Sequence, residues 1–283
     1  SIPQLMGLVA ILHMVESLLI LLNGPGNAWP VYIHKQGQLR GGFNMQMFWP
    51  LPLAALMSVA YTDLAAGGLE MPAWWPLLRD YARFADDQAF TLIPVLAVLG
   101  YGEISTSRTP AQASRRSSLL LFIFSLLLLL LALLSSYNPI FLPLAALFSP
   151  LGHELVIWLG MRAETRPSVY IPPAEGVMIL AVVPGSKAAK AGLKSGDIIL
   201  QVDGAVPCSV RAFDDLINAG HTTASLEVER QGRLQTLKLP IASRQDPGII
   251  LVPDQTVTRY LAETDDRIFF LVRRLWARLK SMK

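Results

Sequence analysis

From Ser118 to Tyr137 the chain is almost unbroken Leu and Phe, without a single charge. A helix crossing the hydrocarbon of a bilayer needs about 20 apolar residues, and it satisfies its backbone hydrogen bonds internally. This stretch therefore reads as a transmembrane helix, and it excludes an ordinary soluble fold for the N-terminal half. Composition supports the same reading: of 283 residues, 52% are hydrophobic and only 16% charged, with a mean hydropathy of +0.42. The apolar residues concentrate before residue 160.

Other segments of that half read as further helical spans. Ser1 to Leu22 is long enough to cross and is stopped by Asn23-Gly24-Pro25-Gly26-Asn27. Val31 to Lys35 and Leu39 to Phe43 flank Gln36-Gly37-Gln38, the pattern of a small β-hairpin lying on the membrane surface. Phe48-Trp49-Pro50 opens a second span reaching about Leu64, with aromatic residues at the expected interface. Ala65 to Asp87 is a loop whose Trp74-Trp75-Pro76 segment suits the interface. Gln88 to Tyr101 is a third, shorter span interrupted by Pro94, and Ile140 to Gly160 returns after the turn at Asn138-Pro139, with Pro143 and Pro150 as kinks. The expected architecture is a polytopic α-helical membrane domain of about five spans over residues 1–160, with a linker at 161–173.

Charge sets the expected orientation. The loops at 23–47 and 103–117 carry Lys35, Arg40, Arg108, Arg115 and Arg116 against Glu103 alone, whereas 65–87 carries Glu70, Asp80, Asp86 and Asp87 against Arg79 and Arg83. Basic loops face the cytoplasm, which puts the first residue outside and everything after residue 160 inside a plasma membrane. The pI near 9.1 follows from these flanking cations. Ser1 rather than Met opens the chain, with no signal-peptide pattern, which points to sequence upstream. The single Cys208 excludes an internal disulfide and a cysteine zinc site.

After residue 173 the pattern changes to short strands punctuated by turns. Gly176 to Val183 is an apolar strand, Ser186 to Ala191 a helical turn, and Ile198 to Val202 a β-branched strand ending at the turn pair Asp203-Gly204. Ser209 can cap a helix to about Ala219 with Ala212, Phe213, Leu216 and Ile217 on one face, and two strands flank Gln231-Gly232. The run V-x-P-G-S-x-A-x-x-A-G-L-x-x-G-D-I-I-L-x-V-D-G, Val182 to Gly204, resembles the PDZ domains of bacterial periplasmic and site-2 proteases. That resemblance implies a small α/β domain over 174–243, a β-sandwich or partly open barrel with two helices. It binds peptide segments or C-termini by adding them to a sheet edge. It also implies Gly176, Val177, Met178, Ile179 and Leu180 as the accepting strand, with Phe213, Leu216 and Ile217 facing it from the helix. Read from the residues alone, those apolar side chains serve equally well as core. Residues 244–283 read as an extended segment, Asp246 to Pro253, then an amphipathic helix from Thr256 to Lys283 with a basic end. That helix either lies on anionic lipid or packs on the preceding domain with its charges solvated.

His13 and Glu16 share one face of the first span, and His153-Glu154 lies within the last. Ionisable groups inside a membrane are costly and mark a functional hypothesis. His153-Glu154 lacks the second histidine of H-E-x-x-H, because that position is Ile157. The four residues read as a polar cluster between helices, and no catalytic residue, metal, cofactor or nucleic-acid contact is expected. The blocks Leu12-His13-Met14-Val15-Glu16-Ser17, Phe43 to Pro50 and Pro150 to Ile157, followed by the PDZ-like run, resemble the MinJ-type division-site topology proteins of Gram-positive bacteria. This resemblance implies a non-enzymatic scaffold at poles and septa that holds division-site proteins near the inner membrane face. Two other readings stay open: a regulatory or degenerate relative of PDZ-containing site-2 intramembrane proteases, and a transporter component.

Overall fold

The computed structural model describes residues 2–35, 37–60, 88–219, 222–241, 246–254 and 261–262. They belong to two compact units, one of Ser1–Trp29 with Asn44–Pro167 and the other of Pro30–Phe43 with Ser168–Lys283. In chain order the elements are α1 (Ile2–Asn23), β1 (Ala28–Lys35), β2 (Gln38–Ala60), β3 (Gln88–Ser105), α2 (Pro110–Tyr137) and α3 (Leu142–Ala163). Then come β4 (Val177–Val182), α4 (Lys187–Lys190), β5 (Ile198–Val202), α5 (Val210–Ile217), β6 (Thr223–Arg230), β7 (Arg233–Pro240), β8 (Ile249–Leu251) and β9 (Leu261–Ala262).

The first unit contains three helices long and apolar enough to cross a membrane: α1, α2, and α3 with the 3-10 turn that precedes it. Thr109 starts α2 with a reciprocal cap, in which the Gln112 N–H donates to Thr109 Oγ1 and the Thr109 N–H donates to Gln112 Oε1. Ala10, Ile20, Leu121, Phe124 and Leu128 form the buried seam. Small residues permit the close approach, since a Cβ added at Gly152 would come within 2.7 Å of the Phe124 ring. At the far end of α3, Glu164 ties the helix to the residues before α2. Its carboxylate accepts bonds from the N–H groups of Thr106 (2.8 Å) and Ser107 (3.1 Å) and from the hydroxyls of Ser105, Thr106 and Ser107.

The second and third expected spans are not helices in their described parts. Gln38–Ala60 and Gln88–Ser105 are the strands β2 and β3, in a sheet of order β3-β2-β1-β9. Burial in β2 alternates with period two: Phe43, Met45 and Met47 are buried, and Gln46, Phe48 and Pro50 are exposed. A helix would lose a hydrogen bond at each interior proline, whereas Pro50 and Pro52, two apart, delete donors along one lateral side of a strand only. In β3, Pro94, Gly100 and Gly102 likewise weaken a helix. The stretch 65–87 lies outside the described residues, as does the expected tail helix apart from Leu261–Ala262. Those two residues are a strand, paired in parallel with Ile33 and His34 of β1.

The hairpin expected at 31–43 is present, with Gly37 at φ +77° in its turn, but it clusters with the C-terminal domain. The Gly41 N–H donates to the Tyr170 carbonyl at 3.0 Å, and Phe43 packs edge-on against the buried Tyr170 ring. That domain is built on an antiparallel sheet of order β7-β6-β5-β4-β8. Two of its turns use paired left-handed residues, Asp203-Gly204 and Gln231-Gly232, the geometry that matches strand twist in tight hairpins. Val177, Ile179, Leu193, Ile199, Val202, Phe213, Ile217, Leu226, Val228 and Leu239 form its core. The sheet reaches beyond the boundary expected at residue 243, because Ile249–Leu251 is its last strand. At the other end, α3 enters the expected linker and stops at Ala163.

Candidate functional site

The glycine-punctuated run sets the site's frame. Gly192 and Gly196 have φ of +85° and +87°, conformations that a side chain would strain. They turn the chain so that Asp197, 1% exposed, faces inward. Its carboxylate accepts the Lys194 N–H at 2.8 Å and a two-pronged contact from Arg230, Nε to Oδ1 at 2.7 Å and Nη2 to Oδ2 at 2.6 Å. Planar guanidinium and carboxylate match in this fork, which makes the contact both strong and orienting. The same turn is stitched to β4 by the Ile179 N–H on the Asp197 carbonyl and the Gly196 N–H on the Ile179 carbonyl, each 2.8 Å.

β4 is thereby held inside the sheet. It pairs with β5 through Val177↔Ile199 on one side and with β8 through Ile179↔Leu251 and Val182↔Ile249 on the other. This corrects the expected accepting strand: Val177, Met178, Ile179 and Leu180 belong to an interior strand, and Gly176 stands just before it. The sheet ends at β7 on one side and at β8 on the other, and the outer side of β8 pairs with no strand among the described residues. The helix residues are corrected as well. Phe213 and Ile217, at 2% and 3% exposed, are core, and Leu216 packs partly buried against that core. The exposed face of α5 carries Arg211, Asp214 and Asp215 instead.

Two carboxylates fix the ends of this edge. Asp254 accepts the Val210 N–H at 3.1 Å, tying the chain after β8 to the first turn of α5, where Ser209 Oγ accepts the Ala212 N–H at 3.0 Å. Before β8, Asp246 Oδ1 accepts the Gly248 N–H at 2.8 Å, while the Pro247 carbonyl accepts the Ala188 N–H and the Gly248 carbonyl accepts the Val183 N–H. Between α5 and β8 stands Tyr32, whose hydroxyl donates to the Leu251 carbonyl at 3.1 Å. Burial, then the charges of Asp214 and Asp254, push the Tyr32 phenol above its ordinary range. Burial, then Asp215 and Asp246, likewise raise Asp214. Tyr32, Asp214 and Asp254 are therefore close enough to act on one another beside this edge. Sequence reasoning read Asp246 to Pro253 as extended but did not place it in the sheet, and it singled out neither Asp214, Asp254 nor Tyr32. The one available signal was the apolar Gly248-Ile249-Ile250-Leu251 run between Asp246-Pro247 and Pro253.

Of the four polar residues in the apolar helices, three converge. The His13 and Glu16 side chains are 2.9 Å apart, Nδ1 to Oε2, and the His13 and His153 rings stack at 5.1 Å with Phe124 edge-on to both. Glu16 is buried, whereas Glu154 is on the exposed side of α3. Among the described residues no group of three His, Cys, Asp or Glu side chains is placed to hold a metal ion.

Comparison with known proteins bears on the second unit. The profile of the PDZ domain family matches residues 178–230. A probable periplasmic serine endoprotease DegP-like protein of Marinomonas sp. (strain MWYL1) is 30% identical over 110 residues, covering 36% of this chain and 24% of the relative. The chain thus spans about a quarter of that relative's length. Solved structures of the PDZ domains of SdrC-like proteins from Listeria innocua and Listeria monocytogenes are 23% and 22% identical. They cover 27% and 29% of this chain and 92% of their own, with TM-scores of 0.25. Residues 178–230 of this chain form a PDZ domain.

Proposed function

We propose that this protein is a membrane-anchored, non-enzymatic adaptor whose PDZ domain binds peptide segments of partner proteins at the cytoplasmic face. The observation that carries the reading is the outer edge of β8 beside α5, in a PDZ domain whose β4, β5 and β6 are paired on both sides. An extended peptide completes such a sheet by main-chain hydrogen bonds. Three apolar helices supply the anchor. Replacing two expected spans by strands leaves parity unchanged but removes the spans on either side of the acidic stretch 65–87, so the orientation rests on the cations at the ends of the three helices. The C-terminal end of α1 is followed by Lys35 and Arg40, the N-terminal end of α2 carries Arg108, Arg115 and Arg116, and the C-terminal end of α3 carries Arg162 and Arg166. Those ends share one side, and a cytoplasmic side is favoured by its cations. Tethering raises the local concentration of the domain for partners already at the membrane, so modest affinity suffices.

Placement at the bacterial division site rests on the resemblance of the His13, Phe43–Pro50 and His153 blocks to MinJ-type proteins. The test is partner capture from cross-linked membranes with the intact chain and an Asp214→Arg variant, which reverses a charge on the exposed face of α5 without touching the core. Recovery of division-site proteins that is lost in the variant supports both the adaptor and its location. Recovery that is equal in both moves the contact away from this edge.

A further inference from the structure

We propose that the groove between α1 and α2, at their basic ends, is a binding site for one anionic phospholipid. The inference goes beyond the adaptor reading and rests only on its membrane anchor, not on peptide binding. The end of α1 lies beside the start of α2, since a Cβ added at Gly24 would collide with the Ser114 hydroxyl. Just inside that point a groove of about 520 Å³ opens between the two helices, within the range of small-molecule sites. Its floor is two small residues, Ser17 and Ser118, 3% and 6% exposed. Its walls are Leu18 and Leu21 of α1 and Leu119 and Phe122 of α2, all between 41% and 58% exposed.

The chemistry of the groove changes with depth. Arg115 stands at its mouth, three residues before the uncharged run that opens at Ser118 and so about 4.5 Å above it along the helix. That is headgroup level for a run of this length. Arg115 is exposed and joins no ion pair among the described residues, whereas its neighbour Arg116 donates to the Leu159 carbonyl of α3 at 2.7 Å. Among the described residues no acidic side chain lines the groove. One turn deeper on the same face, the buried Ser118 hydroxyl has no hydrogen-bond partner among the described residues. Ser17 instead donates its own to the Met14 carbonyl at 2.7 Å. A cation, then a donor in want of an acceptor, then only apolar walls is the order of phosphate, ester carbonyl and acyl chain along a phospholipid. A guanidinium suits the phosphate, and basic pockets between spans recognise anionic headgroups. A helix of another protein would cover the walls equally well but leave Arg115 and Ser118 unanswered.

The experiment titrates phosphatidylglycerol and phosphatidylcholine of the same acyl chains, separately, into the full chain in detergent, with native mass spectrometry counting the lipid retained. The same two lipids carrying a photoreactive diazirine in one tail map the contact by cross-linked peptides. The expected result is one phosphatidylglycerol held per chain, about tenfold more tightly than phosphatidylcholine, as a charged hydrogen bond provides, with the label in 14–21 and 118–122. Arg115→Gln should erase that preference, and Ser118→Ala should weaken retention severalfold. Neither adds bulk, and an unchanged melting temperature shows that both fold. Ser118→Leu fills the floor and should abolish the label in these two segments. Equal retention of the two lipids, a preference that survives Arg115→Gln, label spread evenly over the three helices, or a dimer that excludes lipid overturns this inference alone. Failure of the chain to insert into liposomes of either lipid overturns the membrane anchor and this inference with it.

Discussion

The Tyr32 hydroxyl donates to the Leu251 carbonyl at 3.1 Å, across 219 residues of sequence, and so occupies an acceptor on the outward side of the sheet's last strand. A peptide adding itself to β8 needs that carbonyl for one of its own N–H groups. Tyr32 is therefore a competitor built into the chain. Tyr32→Phe removes the competing donor and keeps the ring, so affinity for a peptide at this edge should rise about two- to tenfold, the worth of one net hydrogen bond. Titration of one labelled partner peptide against both proteins checks this, and unchanged affinity would place the peptide elsewhere.

Asp197 and Arg230 hold the turn that carries β4. Arg230→Met should leave the buried carboxylate without its fork and cost about 3 kcal/mol of domain stability, as broken buried pairs do. Chemical denaturation followed by tryptophan-independent circular dichroism of the β-rich signal measures it. Asp197→Asn should cost less, because the amide oxygen still accepts the Lys194 N–H.

Glu164 gives a pH signature. Burial opposes its ionisation, but hydrogen bonds from Thr106, Ser107 and Ser105 outweigh burial and hold its carboxyl below the ordinary range. A depressed carboxylate contributes stability that is complete above its unfolded pKa and is lost as pH falls through the folded value. Glu164→Gln should therefore lower the melting temperature at neutral pH, by about 2 kcal/mol in free-energy terms. The difference from the parent should shrink below about pH 4.5, the ordinary value for this group. A constant difference across that range would assign the effect to packing.

The single cysteine, Cys208, is exposed and so reports the side of the membrane without mutation. The proposed orientation has it labelled by a membrane-impermeant maleimide in inside-out vesicles and protected in intact spheroplasts. The reverse pattern would invert the topology and remove cytoplasmic partners from consideration.

Gly152 faces the Phe124 ring where α3 meets α2. Gly152→Leu should separate these helices, exposing the His13–His153 stack that Phe124 covers, and lower thermal stability in detergent by several degrees, as overpacking does. Gly160→Leu, which meets nothing within 4 Å, should be neutral and controls for bulk alone.

Much of the second unit was legible because its signals are local. Gly192 and Gly196 announce left-handed turns, Ser209 caps α5, and Asp203-Gly204 and Gln231-Gly232 close hairpins, each through a few neighbouring residues. The strand and helix order followed from these. The apolar helices at 2–23, 110–137 and 142–163 were legible for the same reason, since length and hydropathy alone define them. The strands β2 and β3 were not, because an apolar run of that length suits a helix or a strand equally until its prolines, its glycines and its period-two burial are weighed together.

What the sequence by itself determined is therefore three of the expected apolar helices and the PDZ domain. Only the tertiary structure decided that β8 is an edge strand and β4 is not. Strand order depends on pairing between distant segments, and β8 reaches β4 from about 70 residues away, a separation local patterning does not encode. The same fold turned Phe213 and Ile217 into core, because an amphipathic helix shows that it has an inner face without showing what that face meets. It also brought Tyr32 to the carbonyl of Leu251, 219 residues away in sequence.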